Sequence, residues 1–333
     1  MVESFVPPAD LLAFIREHDK FIIAGHEEPD ADCIGSELAV ASLLRRLGKT
    51  ALLRSSGPFR KAEVVPYEDL FLDKTSGSDR AGAAAIIVDC SEPKRAGKVG
   101  RALRGLPLAI IDHHEVARND ERAEAACSYI RPDAPSATVL VFSLFKALSL
   151  EIDKDEAALM LLGLCADTGF FRHVDGNGET VFSLAAEFAA AGASPKEAFY
   201  QINGGKTLAS RLLMGVVLNR TESYFDGKLL VSSEELAETE KYGVKNRDSD
   251  ALYQLLMSIG GVEAVAVMRQ SASEQCAIGL RSRNSIDVAK IAAVFGGGGH
   301  KNAAGASVDG RIAELKRRIV EEFGKAMNGL PPN

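Results

Sequence analysis

Leu108-Ala109-Ile110-Ile111-Asp112-His113-His114 is a run of four apolar residues followed at once by three polar ones. The apolar part is too short for a helix and is rich in β-branched residues, so it reads as a strand buried on both faces. Two earlier runs have the same character, Phe21-Ile22-Ile23-Ala24 and Ala85-Ile86-Ile87-Val88. Between them lie helical patterns. The clearest covers about 34–47, with Leu38, Leu43, Leu44 and Leu47 on one side and Gly48 as its stop. Further helices are predicted at about 136–149, 154–166 and 178–191. Strands that alternate with helices predict an α/β fold, an N-terminal doubly wound, mainly parallel sheet, over residues 1–190.

The last third of the chain changes pattern. A hairpin is expected around Asp226-Gly227, strands near 263–269 and 275–281, and helices at 287–294 and 310–327. This predicts a smaller mixed α/β C-terminal domain over 215–333, a connecting helix or linker over 191–214, and an active-site cleft between the two domains.

Composition narrows the function. The chain has 333 residues, 46% hydrophobic and 26% charged, with a formal net charge of -7. That is ordinary for a globular protein long enough for two cores. Without a basic excess, a grip on long duplex nucleic acid is not expected, and a phosphate-bearing substrate would be short or held by a local basic pocket. Met1 to Pro8 lacks the pattern of a signal peptide, and no run approaches the roughly 20 apolar residues of a membrane span. The five cysteines, Cys33, Cys90, Cys127, Cys165 and Cys276, form no C-x-x-C pair. A cytoplasmic protein with no membrane partner is the expectation.

The chemistry sits where the strands end. The first is followed by Gly25-His26-Glu27-Glu28-Pro29-Asp30-Ala31-Asp32, the second by Asp89, and the third by Asp112-His113-His114. Ligands of open parallel sheets bind beyond the carboxyl ends of the strands. Asp167 joins them from a predicted helix end. Three of the six histidines fall in this set, which packing alone does not explain. Carboxylate and imidazole without thiolate suit Mn²⁺, Mg²⁺, Zn²⁺ or Fe²⁺ rather than a structural zinc site. The donors exceed the needs of one ion and suit two ions about 3.5–4 Å apart, an arrangement used in phosphate ester hydrolysis.

His26-x-x-x-Asp30-x-Asp32 with Gly35-Ser36, then Asp89, Asp112-His113-His114 and Asp167-Thr168-Gly169, resemble in order the four motifs of the DHH phosphoesterase superfamily. Gly297-Gly298-Gly299-His300-Lys301-Asn302-Ala303-Ala304-Gly305 resembles the glycine-rich motif of the DHH-associated C-terminal domain. The resemblance implies two divalent ions, Mn²⁺ first, with Mg²⁺ or Co²⁺ as alternatives. It places one ion on His26, Asp30 and Asp89 and the other on Asp32, Asp89, His113 and Asp167, with Asp89 bridging. His114 would face the scissile phosphate as a charge stabiliser or proton donor, and Asp112 would orient the histidines. The subgroup it points to is the bacterial short-chain members, similar to oligoribonucleases (nanoRNases) that also dephosphorylate 3′-phosphoadenosine 5′-phosphate. It is compatible with a homodimer.

In the second domain, Gly297, Gly298 and Gly299 would let backbone amides approach an anion. With His300 and either Arg281 or Arg283 they would bind a short oligonucleotide or small phosphorylated nucleotide. Arg172 and His173, just after Asp167, are further candidates for the substrate site. Ser136 and Thr138 are expected to cap a helix, His18 to lie on the surface, and Cys33, Cys90 and Cys165 to be packing thiols. The competing activities are a pyrophosphatase or exopolyphosphatase, and cleavage of cyclic dinucleotides or their linear products. The family's pyrophosphatases carry a different, lysine- and arginine-rich C-terminal domain. A catalytically silent nucleotide sensor would be expected to have lost ligands that this chain retains.

Overall fold

β1 (Lys20–Ala24), β3 (Ala84–Val88) and β4 (Leu108–Asp112) arise where the three apolar runs predicted strands. With β2 (Thr50–Leu53) and β5 (Cys127–Ile130) they form a parallel sheet of order β2-β1-β3-β4-β5. The computed structural model describes residues 5–114, 125–174, 176, 178–283 and 286–328. Its helices up to residue 203 are α1 (Ala9–Glu17), α2 (Ala31–Arg46), α3 (Gly77–Arg80), α4 (Gly97–Ala102), α5 (Ala137–Ala147), α6 (Lys154–Asp167), α7 (Gly178–Ala190) and α8 (Pro195–Asn203).

The sheet is covered on both faces, which is why its three inner strands, β1, β3 and β4, are almost continuously apolar. Ile86 and Val88 pack into the larger core with Leu43, Phe142 and Leu161 of α2, α5 and α6. Ala85 and Ile87 face the other way, toward Val99 of α4 and Leu103 just beyond it. Each fully buried Ile or Leu contributes about 1.5–3 kcal/mol relative to exposure. Strand order reverses between β1 and β3, and in doubly wound sheets the ligand crevice opens at that reversal, outside the carboxyl ends. The residues after β1 and β3 are therefore delivered side by side.

α2 and α6 pack closely on one another. A Cβ on Gly35 would lie 2.8 Å from the Leu159 carbonyl oxygen. Arg46 of α2 is tied to buried Glu156 of α6 at 2.7 Å, and Ser42 donates to the same carboxylate at 2.5 Å. His18 departs from expectation: it is half-buried, its ring tilted against that of Phe14 at 4.5 Å, with Nδ1 2.9 Å from the Phe14 carbonyl.

The chain divides into two units at Gly205/Lys206, so that residues 191–214 contain α8 and the start of the next helix. The second unit holds α9 (Leu208–Asn219), α10 (Leu236–Tyr242), α11 (Ser249–Met257), α12 (Val288–Val294) and α13 (Ile312–Asn328). Its sheet is mixed, of order β10-β11-β9-β8-β7-β6, made of β6 (Glu222–Tyr224), β7 (Leu229–Glu234), β8 (Ala264–Ala272), β9 (Gln275–Ser282), β10 (Gly298–His300) and β11 (Ala303–Asp309). Only the β7–β8 pair is parallel. Ile278 and Leu280 pack on Ile291, Ile319 and Phe323 on one face. Val265 and Val267 pack on Leu213 and Leu256 on the other.

The glycine run before His300 is not an open loop. Gly298 to His300 is an edge strand against β11. A Cβ on Gly297 would lie 2.1 Å from the Gly305 carbonyl oxygen, and one on Gly299 2.6 Å from Ala304 Cα. These two glycines are required by close strand pairing.

Candidate metal centre

All eight residues that the sequence placed at the centre meet beyond the carboxyl edge of the first sheet. His26 follows β1, Asp89 follows β3, and Asp112, His113 and His114 end β4. Asp30 and Asp32 open α2, and Asp167 closes α6. His26 Nε2 is 3.4 Å from Asp89 Oδ2 and 3.9 Å from Asp30 Oδ1. His113 Nε2 is 3.5 Å from Asp89 Oδ1, 3.7 Å from Asp32 Oδ2 and 2.9 Å from Asp167 Oδ2. Asp89 Oδ2 thus faces His26, and Oδ1 faces His113, with His114 Nδ1 3.6 Å from the same Oδ1.

Each imidazole is oriented by its other nitrogen. His26 Nδ1 lies 2.7 Å from the Glu27 carbonyl oxygen and His113 Nδ1 3.2 Å from that of Ala134. Such bonds fix a proton on Nδ1 and turn Nε2 toward a ligand. Asp89 stands at φ 56°, a left-handed conformation that costs a non-glycine residue about 1–3 kcal/mol. The extended ladder above it, with the Asp89 N–H on the Ile111 carbonyl at 2.9 Å, holds it there.

Asp32 is wholly buried, yet both its oxygens are used. They accept from the N–H groups of Ala137 (2.6 Å) and Thr138 (3.0 Å) and from the Thr138 hydroxyl (2.9 Å). Ser136, expected as the cap of α5, makes no capping bond; Asp32 caps that helix from across the fold. Asp30 does the same locally, accepting from the N–H groups of Asp32 and Cys33 at 3.2 Å. Asp112 accepts from the backbone of His113 (2.8 Å) and His114 (3.2 Å) and from His114 Nδ1 (2.8 Å).

The donors fit divalent cations. Asp89 Oδ1 and His113 Nε2 are buried without a hydrogen-bond partner, the 2.9 Å contact to Asp167 lacking the alignment of one. Buried polar atoms left in this state are rare unless an ion or water serves them. Burial, with Asp167 and Asp89 alongside, pushes the Asp32 carboxyl well above its usual range. Burial opposes a charge on His113, but Asp167, Asp89 and Asp32 outweigh it and hold its pKa up at about 11. Burial likewise opposes charge on His26, and Asp30 and Asp89 raise it to about 10. Protons on imidazole therefore balance the carboxylates when no cation does.

A pH dependence follows. Both histidines are raised above 6.5, so their contribution to stability is full below that pH and is lost as pH rises through about 10 and 11. The melting temperature of chelator-treated protein is expected to fall from pH 6.5 toward 10. The stabilisation by added Mn²⁺ should grow over the same span, because ions compete with those protons. Thermal unfolding with and without metal checks this; a metal-free midpoint that climbs with pH would contradict it.

Several contributors escape a reading of the sequence. Glu37 is buried beside Cys33 Sγ at 3.7 Å, and burial pushes its carboxyl well up. Lys61 lies 3.5 Å from Asp30 Oδ2. Cys33 is close enough to His26 and Asp89 to share an ion with them, and all five cysteines are buried free thiols. Arg172 and His173 occupy the exposed turn after α6, where Arg172 Nε donates to the Gly169 carbonyl at 2.7 Å.

In the second unit the register aligns His300 with Ala303 and Ala303 with Arg281, which puts His300 and Arg281 on one sheet face. Gly298, Gly305 and Gly279 form the adjacent row. Arg283 is turned elsewhere, donating to the Met257 carbonyl at 2.6 Å. Of the two arginines, Arg281 shares the row of His300.

Two family models match the chain: the DHH family, N-terminal domain, over residues 20–164, and the DHHA1 domain over 226–329. The bifunctional oligoribonuclease and PAP phosphatase NrnA of Thermus thermophilus is 30% identical over 300 residues, spanning 90% of this chain and 87% of that protein. The chain belongs to the DHH family. As a DHH protein it is a hydrolase of phosphoester bonds. A solved exopolyphosphatase-related protein from Bacteroides fragilis has the same fold, with a TM-score of 0.81 at 23% identity over 96% of this chain and 98% of that one. RecJ of Thermus thermophilus, solved with Mn²⁺, superposes with a TM-score of 0.52 at 17% identity, covering 99% of this chain and 56% of that one. Among the described residues, no helix of this DHH protein is long and apolar enough to cross a membrane.

Proposed function

We propose that the chain hydrolyses short oligonucleotides and 3′-phosphoadenosine 5′-phosphate with two divalent ions, Mn²⁺ in the first instance. The observation that carries this reading is Asp89, whose oxygens face His26 and His113 separately, as a carboxylate shared by two ions would. His26, Asp30 and Asp89 would hold one ion, and Asp32, Asp89, His113 and Asp167 the other. When bound, the ions supply Lewis-acid activation of a water and of the phosphoryl oxygens.

The chain's own groups do the rest. Asp112 fixes the His114 ring through Nδ1 and, as the main cause, raises its pKa, leaving Nε2 for the scissile phosphate. His114 is 41% exposed on its side chain, compatible with a role toward substrate as charge stabiliser and proton donor to the leaving oxygen. Arg281 and His300 would recognise a terminal phosphate, and such an end-reader favours short substrates. The resemblance to NrnA supports the same substrate class.

The test is Mn²⁺-dependent release of mononucleotides from a short RNA, beside release of phosphate from 3′-phosphoadenosine 5′-phosphate, pyrophosphate and polyphosphate, and cleavage of a cyclic dinucleotide. Hydrolysis confined to pyrophosphate or polyphosphate would overturn the reading. His300→Ala is expected to raise KM about tenfold with little change in kcat, the loss of one charge-assisted contact. An unaltered KM would remove His300 from substrate recognition.

A further inference from the structure

Arg281 does not stand alone on its strand. Its guanidinium lies over the ring of Tyr253 in α11, with Cζ 4.5 Å from the ring centroid. Nη1 donates to the Leu280 carbonyl at 2.9 Å. Tyr253 is only 5% exposed, so its ring is a fixed floor beneath a half-buried arginine. An arginine stacked on an aromatic face is held in place by the ring quadrupole and is ready for a planar ligand.

The seat of that ring is a glycine. Gly279 is two residues before Arg281 on the same face of β9, and a Cβ there would lie 2.1 Å from Tyr253 Oη and 3.2 Å from Cζ. Any side chain at 279 would drive the tyrosine out from under Arg281. The Tyr253 hydroxyl is buried without a hydrogen-bond partner, with the Arg269 guanidinium nearby. The ring face, rather than the hydroxyl, is what Arg281 uses.

We propose that Tyr253 is a positioning residue, whose ring, seated by Gly279, holds the Arg281 guanidinium in the row of His300 to receive the substrate's terminal phosphate. This rests on Arg281 being a phosphate ligand, as read above. A flexible side chain that must be ordered by each ligand binds more weakly than one already held.

Steady-state kinetics of the full-length, Mn²⁺-loaded protein on a 5′-phosphorylated trinucleotide test it. Tyr253→Leu is expected to raise KM about five- to tenfold with kcat within about twofold. Tyr253→Phe keeps the ring and should match the wild type. Gly279→Ala should raise KM as Tyr253→Leu does, and adding Tyr253→Phe to it should restore KM, because removal of Oη makes room for the methyl group. Tyr253→Leu should add nothing further to Arg281→Ala. If Arg281→Ala leaves KM unchanged, the phosphate reading of Arg281 fails and this proposal with it. If Arg281→Ala raises KM while Tyr253→Leu does not, positioning alone is overturned. Should Tyr253→Leu fail to fold, a Gly279→Ala protein with normal KM, or one not rescued by Tyr253→Phe, overturns it equally.

Discussion

Asp89→Asn is expected to lower kcat by about a thousandfold or more, with loss of bound metal measured by elemental analysis. Both imidazole nitrogens, His26 Nε2 and His113 Nε2, look onto this one carboxylate, so removing its charge weakens both halves of the centre together. The substitution suits the shape and the backbone of the site. Asparagine has the shape of aspartate and tolerates the left-handed conformation at φ 56° at least as well. It does remove one partner of the protonated His26 and His113, so the metal-free variant should melt somewhat lower than the metal-free parent near neutral pH. Near-normal turnover in a folded Asp89→Asn protein would eliminate the shared-carboxylate arrangement.

The second large effect is expected from a residue with no functional group. Gly163 lies in the middle of α6, fully enclosed, and a Cβ there would meet Asp32 Oδ1 at 2.5 Å, Thr138 Cγ2 at 2.6 Å and Thr138 Oγ1 at 2.7 Å. Alanine is favoured over glycine in a helix by about 1 kcal/mol. Overpacking here costs about 1–3 kcal/mol and outweighs that gain. The methyl group would press on the Asp32–Thr138 hydrogen bond, and a displacement near 1 Å at such a group can cost about a hundredfold in rate. Gly163→Ala should therefore lose about a hundredfold in kcat and melt lower, read from kinetics and thermal unfolding. A variant as active as the parent would mean that Asp32 need not stay where it is.

The strands that carry the centre were readable because they are buried on both faces and so continuously apolar. β2 and β5 were missed, being four-residue edge strands of mixed pattern. β10 is not legible as a strand because glycine looks like freedom in a sequence, whereas Gly297 and Gly299 serve close contact with β11. The acidic and imidazole residues that cluster here are legible from their positions after strands, and Asp167 from its position at a helix end. Their supports are not, because they come from afar: Asp32 caps a helix that begins 105 residues later. A tyrosine such as Tyr253, on the apolar side of a helix, reads as core until the register of β9 brings Gly279 and Arg281 beneath and beside it.

The attachment of Asp32 to the first turn of α5 bears on how the proposed metal centre would exchange its ions. The N–H groups that grip the carboxylate belong to a helix end carrying about half a positive charge. That end supplies a permanent share of counter-charge and keeps the aspartate aimed inward when a chelator strips the site. Emptying and refilling should then be a rapid, reversible exchange with no refolding step. The protein could sample whichever divalent cation its surroundings offer, and its working metal would be set by supply as much as by selectivity.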